Sequence, residues 1–177
     1  MEIACAQLAH KIFQGEVTTA IEAQRELKGL HPSDNDFRDA FVRKEESTNV
    51  KAAYLLRRLE REARRETKGA NAKELDPGAS LTVEHILPKK PTADWLKDFA
   101  DEDEADDAIF RLGNLCLVAQ NKPLGRLPFK DKKSTFAKSE LELTRELSEY
   151  DDQWNTNSIR SRQERLAKLA VQAWRFQ

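Results

Sequence analysis

The sequence predicts a mostly helical α+β protein, in which a small pair of strands is wrapped by helices and preceded by an N-terminal helical extension. Charged residues make up 34% of the 177 residues and hydrophobic residues 39%, a balance typical of globular proteins built from amphipathic helices. Short β-branched segments bounded by turn residues occur between about residues 81 and 136. Helical periodicity covers most of the remainder.

The N-terminal region, residues 1–68, is predicted to be helical. Its clearest helix begins near a candidate cap at Asn49. Apolar residues follow at the i, i+3, i+4, i+7 and i+11 positions of one face: Ala52, Leu55, Leu56, Leu59 and Ala63. Residues 69–80 contain two glycines, one proline and few apolar side chains. We interpret them as a linker to a second domain at 81–177.

The second domain opens with two predicted strand segments. The segment LTVEHIL, from Leu81, is short, β-branched and bounded by turn residues, which favours a strand. The segment FRLGNLCLVAQN, residues 110–121, predicts a β-hairpin around its Gly-Asn step. Between them we expect an insertion with a short helix at Trp95. The acidic residues 101–107 predict a solvated loop, because they lack the glycine and glutamate spacing of an EF-hand.

The C-terminal part is predicted to be helical again. Ser139 and Glu142 have the spacing of a capping box at a helix start. The last helix carries an apolar stripe that favours core packing over a ligand site. Its members are Ile159, Leu166, Leu169, Ala170, Ala173 and Trp174.

The composition excludes several classes of protein. No apolar run approaches the length of a membrane span, and the N-terminal residues lack the pattern of a signal peptide, so a cytoplasmic location is expected. Cys5 and Cys116 are the two cysteines of the chain, and their separation excludes a disulfide framework and a CxxC zinc site. We therefore expect no zinc and interpret both thiols as buried apolar groups.

The net charge of −1 conceals two segments of opposite sign. Residues 93–108 hold eight acidic residues and one lysine, whereas residues 122–138 hold six basic residues and one aspartate. Because phosphate binding depends on the local field, the basic segment is a candidate nucleic-acid contact, with a solvated basic loop as the alternative. The candidate contacts are Arg126, Lys130, Lys132 and Lys133.

Four polar side chains near the predicted strands have the chemistry that phosphodiester hydrolysis requires. A neutral histidine serves as a base for water near pH 7, and His85 ends the first strand segment. A hard divalent cation takes carboxylate and amide oxygens, which Glu84 and Asn121 provide. Asn114, in the second segment, is placed to hold the backbone beside the histidine. A salt-bridged Glu-His pair at a buried strand end is the competing interpretation.

The order and surroundings of these residues resemble a known nuclease family. The pattern VEHILP, a tryptophan, FRLGNLCLV, an asparagine and PFxxK is similar to the HNH-like nuclease domain at the C-terminus of GmrSD-type modification-dependent restriction proteins. EHILP and LGNL in this order are much more specific than either motif alone. The similarity continues to the C-terminal helix, through Trp154, Ile159, Arg162, Leu166 and Trp174.

The resemblance implies a small ββα-metal (HNH) finger wrapped by helices, with a role for each matching residue. By similarity, His85 is the general base and Asn114 fixes the loop geometry. Glu84 and Asn121 match the metal-ligand positions, and Mg²⁺ or Mn²⁺ is the implied cofactor. Asn121 departs from the pattern, since HNH enzymes often have histidine there.

Two basic residues also match positions of the family. Lys132 corresponds to the lysine of the PFxxK element and Arg162 to the arginine of the last helix. The resemblance implies phosphate contacts for both. A solvated lysine and a helix salt bridge are the alternatives.

The resemblance also implies a partner. In the family this domain usually follows an N-terminal nucleotide-hydrolysing domain, and the chain contains no GxxxxGK[ST] motif. We therefore expect a sensor domain or partner outside this chain, which chooses the DNA target. The predicted function is metal-dependent cleavage or nicking of DNA in anti-phage restriction. The alternatives are a non-catalytic DNA-binding or protein-docking domain with the nuclease fold, and an RNA-cleaving HNH nuclease.

Overall fold

The computed structural model describes residues 2–30, 32–69, 72–73, 75–76, 79–119 and 124–175. These residues are mostly helical with one small sheet, which agrees with the predicted α+β class. The elements in chain order are α1 (Glu2–Phe13), α2 (Ala20–Leu27), α3 (Asp34–Phe41), α4 (Asn49–Lys68), β1 (Leu81–His85), α5 (Ala93–Leu96), α6 (Glu102–Ile109), β2 (Leu115–Ala119), α7 (Phe129–Phe136), α8 (Glu142–Arg145) and α9 (Thr156–Ala173). Short 3₁₀ helices lie at Lys28–Leu30, Leu112–Asn114 and Glu146–Glu149.

Contacts divide the chain into two compact units, Met1–Phe37 and Arg38–Gln177. In the first unit α1 and α2 pack together, and Thr19 and Glu22 form a capping box at the start of α2. The predicted role of residues 69–80 as a domain linker stays a prediction. Among the described residues, no helix has the length and apolar character that crossing a membrane requires.

The long helices α4 and α9 pack against each other in the second unit, and α4 also contacts both strands. Four residues of the predicted apolar stripe of α4 are buried: Ala52, Leu56, Leu59 and Ala63. The helix begins at Asn49, and Thr48 takes the N-cap position. The cap therefore lies one residue before the predicted one.

Glu60 interrupts this apolar stripe with a buried carboxylate. It accepts hydrogen bonds from the backbone amides of Glu142 at 2.8 Å and Leu143 at 3.0 Å, the first two residues of α8. The predicted capping box between Ser139 and Glu142 is wrong, because Leu141 is the N-cap and no side-chain cap bond is present there. The free amides at the start of α8 donate instead to the Glu60 carboxylate of α4.

The strands β1 and β2 form an antiparallel pair, with Leu81 opposite Ala119 and His85 opposite Leu115. The predicted hairpin within residues 110–121 is wrong. A 3₁₀ turn at Leu112–Asn114 leads into a single strand instead, and the partner of that strand is β1. The helices α5 and α6 lie between the two strands in sequence, as the predicted insertion requires.

Residues 102–109 form the helix α6, so the predicted solvated loop is wrong. Asp101 caps the helix, since its carboxylate accepts a hydrogen bond from the Glu104 amide at 2.8 Å. Three acidic residues occupy the first turn, where the helix dipole favours negative charge. Two alanines and one isoleucine of the helix are buried. The acidic composition of the segment concealed this short apolar face.

The core of the second unit includes the segment that follows β1. Ile86 and Leu87 are fully buried and belong to the same apolar cluster as Trp154. The Trp154 ring packs against Phe129, with centroids 4.8 Å apart, and against Tyr150 at 5.3 Å. The end of β1 is thereby anchored in the core, which positions His85.

Gly113 lies where the turn before β2 meets α9, and we expect any side chain at this position to destabilise the fold. A Cβ atom at this position would clash with the Ile159 carbonyl oxygen and lie 3.1 Å from the Gln163 backbone nitrogen. Helix backbone cannot shift at low cost, so Gly113→Ala should lower the free energy of unfolding by about 2–3 kcal/mol. Urea denaturation followed by circular dichroism measures this change.

The matched control is Gly29→Ala. A Cβ atom at Gly29 meets no heavy atom within 4 Å, so the free energy of unfolding should change by less than about 0.5 kcal/mol. A Gly113→Ala chain as stable as this control would contradict the close approach of α9 to the turn.

Candidate active site

Glu84 and His85 are the last two residues of β1, and their side chains diverge. Successive side chains of a strand point to opposite faces, so Glu84 meets Lys132 of α7 and His85 meets Phe110. The rings of His85 and Phe110 lie edge to face with centroids 5.8 Å apart. The buried Nε2 of His85 has no hydrogen-bond partner among the described residues. Such an unsatisfied buried nitrogen is uncommon and needs a functional or structural explanation.

The surroundings of His85 keep its imidazole neutral. Burial, together with the nearby ammonium groups of Lys89 and Lys132, lowers the pKa of His85 from 6.5 to about 4. At neutral pH the ring is therefore uncharged. The neutral ring is the form that accepts a proton from water.

Lys132 lies in the interior, and its three donors are all engaged. Its Nζ donates to Glu84 Oε1 at 2.9 Å, to the His85 carbonyl at 3.2 Å and to the Ile86 carbonyl at 3.0 Å. The side chain is 0% exposed, which leaves no donor for a phosphate. The predicted phosphate contact at Lys132 is corrected accordingly: this lysine holds the end of β1 from inside.

Asn114 holds the next residues of the same turn. Its side-chain amide accepts from the Leu87 amide at 2.8 Å and donates to the Leu87 carbonyl at 3.0 Å. It also donates to the Ile109 carbonyl at 3.0 Å and accepts from Trp154 Nε1 at 3.0 Å. Its own carbonyl accepts from the Ile86 amide at 2.9 Å. One buried asparagine thus joins the turn after β1, the end of α6 and the segment before α9.

Arg162 is also buried, and it supports the turn that contains Asn114. Its guanidinium donates to the Gly113 and Leu115 carbonyls, at 3.1 and 2.8 Å, and to the Leu143 carbonyl at 3.3 Å. Burial lowers the pKa of the Arg162 guanidinium. Because the side chain is 2% exposed, the predicted phosphate contact at Arg162 is corrected to a structural role. Gln163, which the sequence analysis did not single out, accepts from the Gly113 amide.

The other predicted site residues lie nearer to solvent. Arg126 and Lys130 are exposed. Lys133 is partly buried and pairs with Asp152, with Nζ and Oδ1 2.9 Å apart. Asn121 lies outside the described residues, so its role as a metal ligand stays a prediction.

One carboxylate at the end of β1, that of Glu84, could ligate a hard divalent cation. Glu84 supplies a carboxylate whose side chain is 20% exposed while one oxygen accepts from Lys132. Within the described ranges, no three His, Cys, Asp or Glu side chains are grouped closely enough to hold a metal by themselves. Mg²⁺ usually binds one or two carboxylates and completes its coordination with water and substrate phosphate. A single carboxylate such as that of Glu84 is compatible with this mode of binding.

The two cysteines differ in environment. Cys116, opposite Glu84 in the sheet, is buried as predicted, and burial raises the pKa of its thiol to about 12. It is therefore protonated at neutral pH and is no nucleophile. Cys5 is exposed, so the prediction that both thiols are buried is wrong for this residue.

Two residues beside His85 were not predicted from the sequence. Phe110 packs against the imidazole ring, and the Lys89 ammonium lies 5.6 Å from the centroid of the Phe110 ring. Lys89 directly follows VEHILP, and Phe110 is the first residue of FRLGNLCLV. Their closeness to the motifs in sequence was the one signal that could have placed them at the site, because residue type alone indicates no function for a lysine or a phenylalanine.

Lys132 should be essential for stability. Replacing it with methionine leaves the Glu84 carboxylate unpaired and removes the donor from two backbone carbonyls. We expect Lys132→Met to lower the free energy of unfolding by about 3 kcal/mol, measured by urea denaturation. Lys130→Met, at an exposed position of the same helix, should change it by less than about 0.5 kcal/mol.

A double-mutant cycle isolates the ion pair. Lys132→Met combined with Glu84→Gln removes both charges, so its cost should be clearly smaller than the sum of the two single costs. Strictly additive costs would contradict a direct interaction between the Lys132 ammonium and the Glu84 carboxylate.

Comparison with known proteins identifies the family. The family described as "GmrSD restriction endonucleases, C-terminal domain" matches residues 31–169, which cover the strands, their insertion and most of α9. No curated protein and no solved structure matches the chain. The family match covers well over half of the sequence and includes Glu84, His85, Asn114 and Lys132. The chain belongs to the family of C-terminal domains of GmrSD restriction endonucleases.

Proposed function

We propose that this domain is a metal-dependent, HNH-type endonuclease or nickase that hydrolyses DNA phosphodiester bonds in anti-phage restriction. The observation that carries the proposal is the environment of His85. Its ring is neutral, and its buried Nε2 lacks a partner within the described residues. Membership in a restriction endonuclease family supports nuclease chemistry and DNA as the substrate.

The order of the elements supports the proposed finger. β1, β2 and α7 follow one another as strand, strand and helix, with α5 and α6 inserted between the strands. Lys132 ties α7 to the end of β1, and Asn114 ties the start of β2 to the turn after β1. Three elements thereby converge on His85.

In the proposed reaction, His85 takes a proton from the attacking water. The water oxygen forms a bond to phosphorus, the bond from phosphorus to the leaving oxygen breaks, and the leaving oxygen takes a proton from solvent. Glu84, with Asn121 as the proposed second ligand, would hold Mg²⁺ or Mn²⁺, which supplies positive charge beside the phosphate and the leaving oxygen when bound. Asn114 and Lys132 fix the turn, so the imidazole meets the water in one orientation.

DNA binding is proposed to rest on exposed cations of the basic segment. Arg126 and Lys130 are exposed, which leaves them available to phosphates of the backbone, whereas Lys133 would first have to leave Asp152. Such contacts carry little sequence information. We therefore place target choice in a separate nucleotide-hydrolysing sensor domain or partner.

The direct test is a cleavage assay with the purified chain. We expect supercoiled plasmid to be nicked or linearised with Mg²⁺ or Mn²⁺ and to stay intact with EDTA. His85→Ala should lower the cleavage rate by about 10²–10⁴-fold, the usual contribution of a general base. His10→Ala is the matched control, because His10 is exposed and lies on α1, and its rate should equal that of the wild type.

Three outcomes would overturn parts of the proposal. Equal cleavage by the wild type and His85→Ala removes the proposed base. Binding of duplex without cleavage in either metal indicates a non-catalytic module. Faster cleavage of RNA than of DNA, with the same dependence on His85, indicates an RNA-cleaving enzyme.

A further inference from the structure

Three basic residues that were predicted to contact phosphate already have partners within the protein. Lys132 and Arg162 are buried and donate to backbone carbonyls, and Lys133 pairs with Asp152. A phosphodiester next to His85 carries a negative charge that none of these three groups is free to meet. A further cation beside His85 would meet this charge.

Lys89 is placed to meet that charge. It is exposed, and its ammonium lies 5.6 Å from the centroid of the Phe110 ring. The same ring packs edge to face against the His85 imidazole at 5.8 Å. Phe110 is thus a shared platform for the two side chains. The ion pairs of the described residues do not include Lys89, so its charge is available.

The backbone that carries Lys89 is fixed in the same way as the backbone that carries His85. Both the amide and the carbonyl of Leu87 are bonded to the Asn114 side chain. Pro88, between Leu87 and Lys89, is buried, and its ring restricts the backbone further. The backbone of Lys89 is therefore held in place by the anchored Leu87, two residues before it. Only the Lys89 side chain needs to adjust to a ligand.

We propose that Lys89 is a phosphate-binding residue of the active site, and that its ammonium contacts a non-bridging oxygen of the nucleic-acid backbone beside His85. The inference rests on the proposed nuclease function and deepens it by assigning a substrate contact. The Phe110 ring holds the lysine by a cation–π contact until a phosphate arrives.

The experiment separates binding from cleavage. A fluorescein-labelled DNA duplex is titrated with His85→Ala chain over a range of KCl concentrations, and with the same chain carrying Lys89→Ala in addition. Loss of one phosphate contact should weaken binding several-fold and make the slope of log K against log salt shallower by about 0.9. Lys90→Ala is the control, because Lys90 is the adjacent lysine and is exposed as well. It should leave affinity and slope unchanged.

Cleavage by otherwise wild-type chain gives the second readout. Lys89→Ala should lower kcat/KM roughly tenfold or more, the effect expected for losing one charge-assisted hydrogen bond, and Lys89→Arg should restore most of it. Lys90→Ala should have the rate of the wild type. This pattern would support a contact with the reacting part of the substrate.

The outcomes distinguish the two proposals. If Lys89→Ala and Lys90→Ala behave alike in binding and in cleavage, the assignment of Lys89 is overturned while the nuclease stands. If the wild type cleaves nothing in Mg²⁺ or Mn²⁺ but Lys89→Ala alone weakens binding, the nuclease falls and the phosphate site stands. If no duplex is bound even at low salt, both proposals fall.

Discussion

The buried amide of Asn114 is the interaction on which the arrangement of this domain depends. It bonds to Leu87, Ile109 and Trp154, which lie on three segments that are distant in sequence. A buried amide that loses its partners costs on the order of 1–3 kcal/mol. Separation of any one segment from Asn114 therefore destabilises the packing of all three. Gly113, the residue before Asn114, allows the same turn to approach α9 closely.

The need of buried polar groups for partners also explains why two cations are buried beside the proposed catalytic turn. Lys132 and Arg162 donate chiefly to carbonyls of the turns that contain His85 and Asn114. The backbone of an irregular segment has few partners of its own, and a buried carbonyl needs a donor. Internal cations thus supply the rigidity that a site requires. In the proposed function, cations at the surface meet the substrate.

Periodicity and residue type in the sequence predicted those features of the fold that depend on neighbouring residues. The apolar stripe of α4 and the strand β1 follow from periodicity and residue type, and Asn114 stood out as a polar residue between apolar ones. The burial of Lys132 could not be read in this way, because its partner Glu84 lies 48 positions away. The pairing of β2 with β1 was not evident from the local pattern, which favoured a hairpin within residues 110–121. In α6, the acidic composition concealed a short apolar face that only packing reveals.

The most direct test of this account is native-state hydrogen exchange at Leu87. Its amide donates to the Asn114 side chain at 2.8 Å, within a segment that has no regular secondary structure. The account predicts that this amide exchanges as slowly as the paired amides of β2, through global unfolding alone. Exchange at the rate of a surface loop would show that the turn opens locally, and would contradict a turn fixed by Asn114.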